Sequence, residues 1–259
     1  MGGLPEDLTH AWWGGERAVP IAHALDALLG QMDRRLAHEE PVVADTDDLL
    51  PLGTGLLPLD RVLGGGVWRG RAVIVEADIE AQATALLSTV ARHVPHRCLV
   101  DGRDVVAVAT GILAGSAGVP EVSVTDARLS EREWAAVVSG LRSLRGRDVS
   151  VCSTGSLDAL REVAVGAGAD VLVVHDTARF GPPAQLGPGL ARLARTAGVA
   201  VLASATPTEG VPSRADDGVT HLHMHGFDLG GRASLVRPDP DDLLAVAQVD
   251  VECLFGIVR

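Results

Sequence analysis

The chain contains no lysine, no asparagine and no tyrosine, so all 22 of its basic residues are arginines. Without lysine it lacks the amine that neutralises phosphate in a nucleotide-binding loop and the amine that forms a Schiff base. Positive charge is scarce too: 34 acidic residues outnumber the arginines and set a formal net charge of −12. That balance excludes a broadly basic nucleic-acid surface, and direct DNA binding is not expected beyond a local arginine patch. No apolar run approaches the roughly 20 residues of a membrane span, so no membrane partner is expected. The opening "MGGLPEDLTH" lacks a basic-then-apolar signal pattern and reads as cytoplasmic. Cys98, Cys152 and Cys253 are odd in number and scattered, which suits small packed side chains rather than a disulfide framework.

What is present is a core. Of 259 residues, 47% are hydrophobic, enough for one large α/β domain with a small extension. The extension is residues 1–48. Within it Ile21, Leu25, Leu28, Leu29, Met32 and Leu36 recur at helical spacing, predicting an amphipathic helix over about 20–38. Pro20 suits its first turn and Pro41 ends it. An isolated helix of that length is marginal in water, so its stripe requires an apolar partner surface.

Residues 49–259 alternate between strand and helix patterns. Strands are expected near Ala72–Val75, Arg97–Val100, Val149–Cys152, Val171–Val174 and Ala200–Ala203. Helices are expected over Ala81–His93, Asp104–Ser116, Glu131–Leu144, Leu157–Ala167 and Leu190–Ala197, with a Ser130/Glu133 capping box opening one of them. Runs such as "AVIV" and "VLVV" are apolar throughout, as parallel strands covered on both faces must be. After Gly218, "VTHLHMH", "RASLVR" and "LLAVAQVDVECLF" read as antiparallel strands closing one edge.

Three stretches share an order with a known family: "LGTGLLPLDRVLGGGVWRGRAVIV", then "ILAGSAGVP" with "LSEREWAAVVSGLRSL", then "SLDALREVAVGAGADVLVVHDTARF". Together they resemble the C-terminal motor domain of DnaB-type replicative helicases, with RadA-type RecA proteins as more distant relatives. The resemblance implies a RecA-like α/β fold: a mostly parallel sheet flanked by helices, with antiparallel strands at the C-terminal edge. It also implies that the helix at 20–38 is a linker helix docking on a neighbouring subunit, and it places a phosphate loop at Glu76–Ala83.

The residues in that loop do not suit phosphate. Gln82 stands at the lysine position and Ala83 at the hydroxyl position, with Thr84 one residue late. A helix turns about 100° per residue, so that hydroxyl is aimed elsewhere. Glu76, Asp78 and Glu80 add carboxylates. Uncompensated like charges about 4 Å apart cost on the order of 1–4 kcal/mol each. The resemblance puts the water-polarising glutamate near Gly102, with Asp101 or Asp104 as register-shifted stand-ins. It puts the Walker B acid at His175 or Asp176 and the polar sensor near Ala205. Arg232 and Arg237 fall near the family's trans-acting basic residues. The resulting expectation is a noncatalytic pseudo-ATPase with no cofactor, associating with itself as a ring, dimer or filament.

Two alternatives belong to other classes. One is an accessory subunit that joins an active helicase, a RecA-type ATPase or a DNA complex. The other is a metal-dependent enzyme with a relocated site. "HLHMH" puts His221, His223 and His225 on one strand face. Only a pair such as His221 and His223 is placed to share an ion, with Asp216 or Asp217 as a further ligand. A solvated strand face near the sheet edge, holding no metal, is the main expectation there.

Overall fold

In the computed structural model, residues 50–77, 80–205, 218–225, 232–237, 245–252 and 257–258 are described. The expected helix at 20–38 and its interface residues Ile21, Leu25, Leu28, Leu29, Met32 and Leu36 lie outside them. So do Asp78 and the side chain of Glu80. No helix among the described residues is long and apolar enough to cross a membrane.

The described strands form one sheet, in the order β3-β2-β4-β5-β1-β6-β7-β8-β9. They are β1 (Ala72–Ala77), β2 (Cys98–Asp101), β3 (Val149–Cys152), β4 (Val171–Val174), β5 (Ala200–Ala205), β6 (Val219–His225), β7 (Arg232–Arg237), β8 (Ala245–Glu252) and β9 (Ile257–Val258). The helices are α1 (Leu57–Leu63), α2 (Glu80–His93), α3 (Val105–Ala117), α4 (Glu121–Thr125), α5 (Glu131–Arg145), α6 (Leu157–Ala167) and α7 (Pro183–Ala197). This is the expected class: α/β, mostly parallel, with antiparallel strands at the C-terminal edge.

Two expectations are corrected. β6 does not pair antiparallel at an edge; it lies parallel to β1, with Glu76 opposite His223, and only its other side pairs antiparallel with β7. Alternation within "VTHLHMH" marks a strand but carries no information about its neighbour's direction. The last helix begins at Pro183 rather than Leu190, despite Pro188 inside it. A proline in a helix interior costs about 3 kcal/mol. Burial of Leu186, Leu190, Leu193 and Ala194 against the sheet offsets that cost.

Strand alternation divides the core into two layers. Val73, Val75 and Ala77 of β1 and Val171 and Val173 of β4 pack with α2. Ala72, Ile74, Leu172 and Val174 pack on the other face with α6 and α7. Helix starts are built locally. Asp104 Oδ1 accepts from the Val106 and Ala107 amides at 2.8 and 3.4 Å, and the Ser130–Glu133 capping box is formed as expected. α5 packs closely on α3, where Gly140 leaves room for the backbone of Ala117.

The glycine run before β1 is turn chemistry with a measurable consequence. Gly64 caps α1 at φ 76°, and Gly66 sits at φ 138°. A Cβ on Gly66 would come within 2.2 Å of the Leu52 carbonyl oxygen, whereas one on Gly64 meets nothing within 4 Å. Gly64→Ala is expected to lower unfolding free energy by about 1–2 kcal/mol, the left-handed backbone cost alone. Gly66→Ala is expected to cost clearly more, because backbone must move. Urea denaturation of the two variants measures the difference.

Candidate functional site

Ligands of open α/β sheets sit outside the carboxyl ends of the strands, where the order reverses. In this chain that end lies above β1, β2, β4 and β5, and it holds most of the chemistry-bearing residues. A phosphate-holding loop needs several residues freed from the ladder, so that their amides turn inward. Here β1 continues through Glu76 and Ala77, and α2 begins at Glu80. Glu76 is in register with Ala205 on one side and His223 on the other. Of the eight corresponding positions, Glu76–Ala83, six therefore lie in strand or helix. Gln82 and Ala83 are both buried, Ala83 in the α2 layer of the core.

Glu76 falls on the face opposite α2, since it alternates with Val75 and Ala77. Its carboxylate is engaged from β6: His221 Nδ1 lies 3.1 Å from Oε1 and His223 Nδ1 3.2 Å from Oε2. His221 and His223 are thus half-buried and paired, not a solvated strand face; His225 is the exposed one.

At the end of β2, Asp101 has no exposed surface. It accepts from the Thr154 amide at 3.0 Å, the Thr154 hydroxyl at 3.2 Å and the Cys152 thiol at 3.4 Å. It is also ion-paired with the Arg179 guanidinium. Burial raises the Asp101 pKa, and Arg179 opposes the rise. Burial, helped by the Asp101 charge, pushes the Cys152 thiol up to about 12, so it is no nucleophile at neutral pH. Arg179, on the turn after β4, points inward with 12% of its side chain exposed.

Asp176 follows β4 in a left-handed conformation, φ 52°. Its carboxylate pairs with Arg103 at 2.7 Å, and its amide donates to Ser204 Oγ at 3.2 Å. His175, one residue earlier, alternates onto the α2 face with Val171 and Val173. The strand therefore presents an imidazole, not the acid, toward α2. His175 is buried, and burial lowers its pKa to about 4. Asp104 is spent on capping α3. The side chains of Arg232 and Arg237 lie outside the described ones.

The structure thus brings Asp101 and Asp176 to one end of the sheet and gives each an arginine from the other's loop: Arg179 after β4 reaches Asp101, and Arg103 after β2 reaches Asp176. Sequence reasoning missed these crossed pairs and the Glu76 pairing, because each spans 73 to 145 positions. No three His, Cys, Asp or Glu residues among the described ones are arranged to close around a metal ion.

Comparison with known proteins bears on the fold. A model of a family of unknown function (DUF7125) matches residues 51–154. No curated protein matches the chain. Among solved structures, the chain resembles a DnaB-like replicative helicase, from a study of that helicase and its interactions with primase. The TM-score is 0.67 at 12% identity, over 93% of this chain and 71% of that one. The expected RecA-like α/β fold is therefore what the chain has.

Two measurements follow from the buried groups. Removing one partner of a buried ion pair strands a charge and costs about 3–5 kcal/mol. Asp101→Asn and Arg179→Met are each expected to destabilise on that scale, while the double variant falls well short of the sum. A double-mutant cycle in urea reads the coupling. The second concerns pH. An imidazole with folded pKa about 4 binds its proton less readily folded than unfolded, where the value is 6.5. As pH falls from about 6.5 toward 4 the unfolded chain protonates first, so this group's contribution to stability is lost, up to about 3 kcal/mol. Asp101, raised rather than lowered, acts in the opposite sense. The histidine's share is therefore the difference in pH slope between the wild-type chain and His175→Gln, with wild type the steeper.

Proposed function

We propose that this chain is a noncatalytic helicase-like protein that works by shape and self-association rather than by ATP turnover. The observation that carries the reading is the β1–α2 connection. Strand and helix occupy six of the eight positions where a phosphate loop is expected, with Gln82 and Ala83 buried in place of a lysine and a hydroxyl. The acids nearby support it, being committed to internal partners: Asp101 to Arg179, Asp176 to Arg103 and Glu76 to two histidines.

Association is supported by apolar surface. On α5, Trp134, Val138 and Leu141 recur on one face and are 53%, 40% and 42% exposed. Val122 on α4 and Val106 on α3 are exposed as well. Charged residues normally cover such a helix face, and a contiguous apolar patch marks a surface for another chain. In this reading the stripe Ile21–Leu36 supplies the assembling helix. The same α5 face also suits an accessory role on an active ATPase, which makes that the second reading.

Sedimentation velocity of the full chain tests the proposal. The chain is expected to run as an assembly whose mass is unchanged by ATP and Mg²⁺, and Leu25→Asp/Leu28→Asp is expected to reduce it to monomer. Trp134→Ser/Leu141→Ser serves as the parallel arm. A monomeric wild type that shifts only when an ATPase partner is added moves the reading to the accessory subunit. A thermal midpoint raised by Mg–ATP, about 2.7 kcal/mol of stabilisation at 100 times Kd, overturns the loss of the phosphate loop, and phosphate release from ATP under the same conditions defeats the noncatalytic reading.

A further inference from the structure

α5 has two unlike faces. Val137 and Gly140 are buried on the inner one, where the helix packs on α3. At about 100° per residue, Glu131, Trp134, Leu141, Arg142 and Arg145 all fall within about 60° of Val138 on the outer one. All six residues are exposed. The apolar stripe of Trp134, Val138 and Leu141 is thus bounded by an acid at its N-terminal end and by two arginines at its C-terminal end. The helix dipole accounts for those signs. It does not account for an exposed tryptophan, valine and leucine between them.

About Val138 the face is symmetric in position and opposite in charge. Glu131 stands seven residues before it and Arg145 seven after; Trp134 stands four before and Arg142 four after. A second copy of α5 laid antiparallel on this face, with a two-fold axis at Val138, sets Glu131 against Arg145 of the other copy, and symmetry forms that pair twice. Trp134 then meets Leu141 and the apolar stem of Arg142. Parallel pairing would instead set Glu131 on Glu131 and Arg145 on Arg145, and like charges placed together are costly. A two-fold contact requires one patch that complements itself, and this face meets that requirement.

We infer that α5 is a two-fold contact between copies of this chain, its helices antiparallel and crossing at Val138. The inference rests on the self-association reading and names a second surface used in it. With 15 residues, α5 is about 22 Å long and about 10 Å wide, so one helix pair covers less than the roughly 1,200 Å² of a stable interface. It therefore joins copies that the 21–36 stripe already holds in that reading, rather than holding two monomers by itself.

Disulfide trapping in the full chain tests the inference. Helices packed about 8–10 Å apart bring a residue on the two-fold axis within disulfide range of its own copy. Under mild oxidation Val138→Cys is expected to give a disulfide between the two positions 138, identified by peptide mass against the wild-type chain. Glu131→Cys and Arg145→Cys are each expected not to trap themselves, but to trap one another when the two variants are mixed. In the Val138→Cys chain, Glu131→Arg or Arg145→Glu alone should slow trapping about 3–10-fold, and the two together should restore it. Those positions lie about 21 Å apart along one helix, so the rescue passes between copies. Far-UV circular dichroism confirms that each variant is folded. Self-trapping at position 131 or 145 overturns the antiparallel pairing. Absence of trapping at position 138 in a chain that sediments as an assembly overturns the α5 contact and leaves the self-association reading standing. A chain that sediments as a monomer and traps nothing defeats both.

Discussion

A carboxylate with no exposed surface, Asp101, is the constraint around which the upper end of the sheet is arranged. A charge in that position is tolerable only when paired and fully hydrogen-bonded. Thr154 and Cys152 supply hydrogen bonds from the segment after β3, and Arg179 supplies the cation from the turn after β4. Meeting that requirement fixes the turn. Thr177 donates to the Ser204 carbonyl at 2.6 Å, Asp176 is held by Arg103 and Ser204, and His175 is buried. Three loops from three strands are thereby bound to one buried group.

The same arrangement closes the region in which an open α/β sheet usually meets its ligand. Among the described residues, Asp101, Asp176 and Glu76 each have an internal partner, and buried His175 is kept neutral by desolvation. Crossed pairing matters more than the strength of either pair. The Arg103–Asp176 bridge is exposed on its arginine side and is worth little by itself. The Arg179–Asp101 pair is buried, and there the loss of a partner is costly. Together they fasten the β2 and β4 loops to each other. In the proposed reading the framework persists for its outer surfaces, among them the apolar face of α5.

Much of the framework was legible because its determinants are local. The strands Val149–Cys152 and Val171–Val174 and the helix Leu157–Ala167 have their expected bounds, since apolar runs and Ser or Gly caps define them within a few residues. α7 was read short because Pro183, Gly187, Pro188 and Gly189 are helix breakers by propensity; tertiary burial of Leu186 and Leu190 overrode them. β6 was misplaced because strand periodicity is blind to pairing direction. That error also hid a contact: Glu76 and the His-x-His strand were each visible, but only a parallel β6 beside β1 puts them together.

By itself, the sequence determined the layered α/β class, the element order and the lack of a lysine for any phosphate or Schiff-base chemistry, all set by residue type and short-range spacing. Tertiary structure alone decided which carboxylate meets which cation. An ion pair between residues 78 positions apart depends on how two loops are brought together, and no local pattern encodes it. The buried arginine, the neutral histidine and the shared glutamate are consequences of that assembly, because burial and partner are properties of a folded surface and not of a residue.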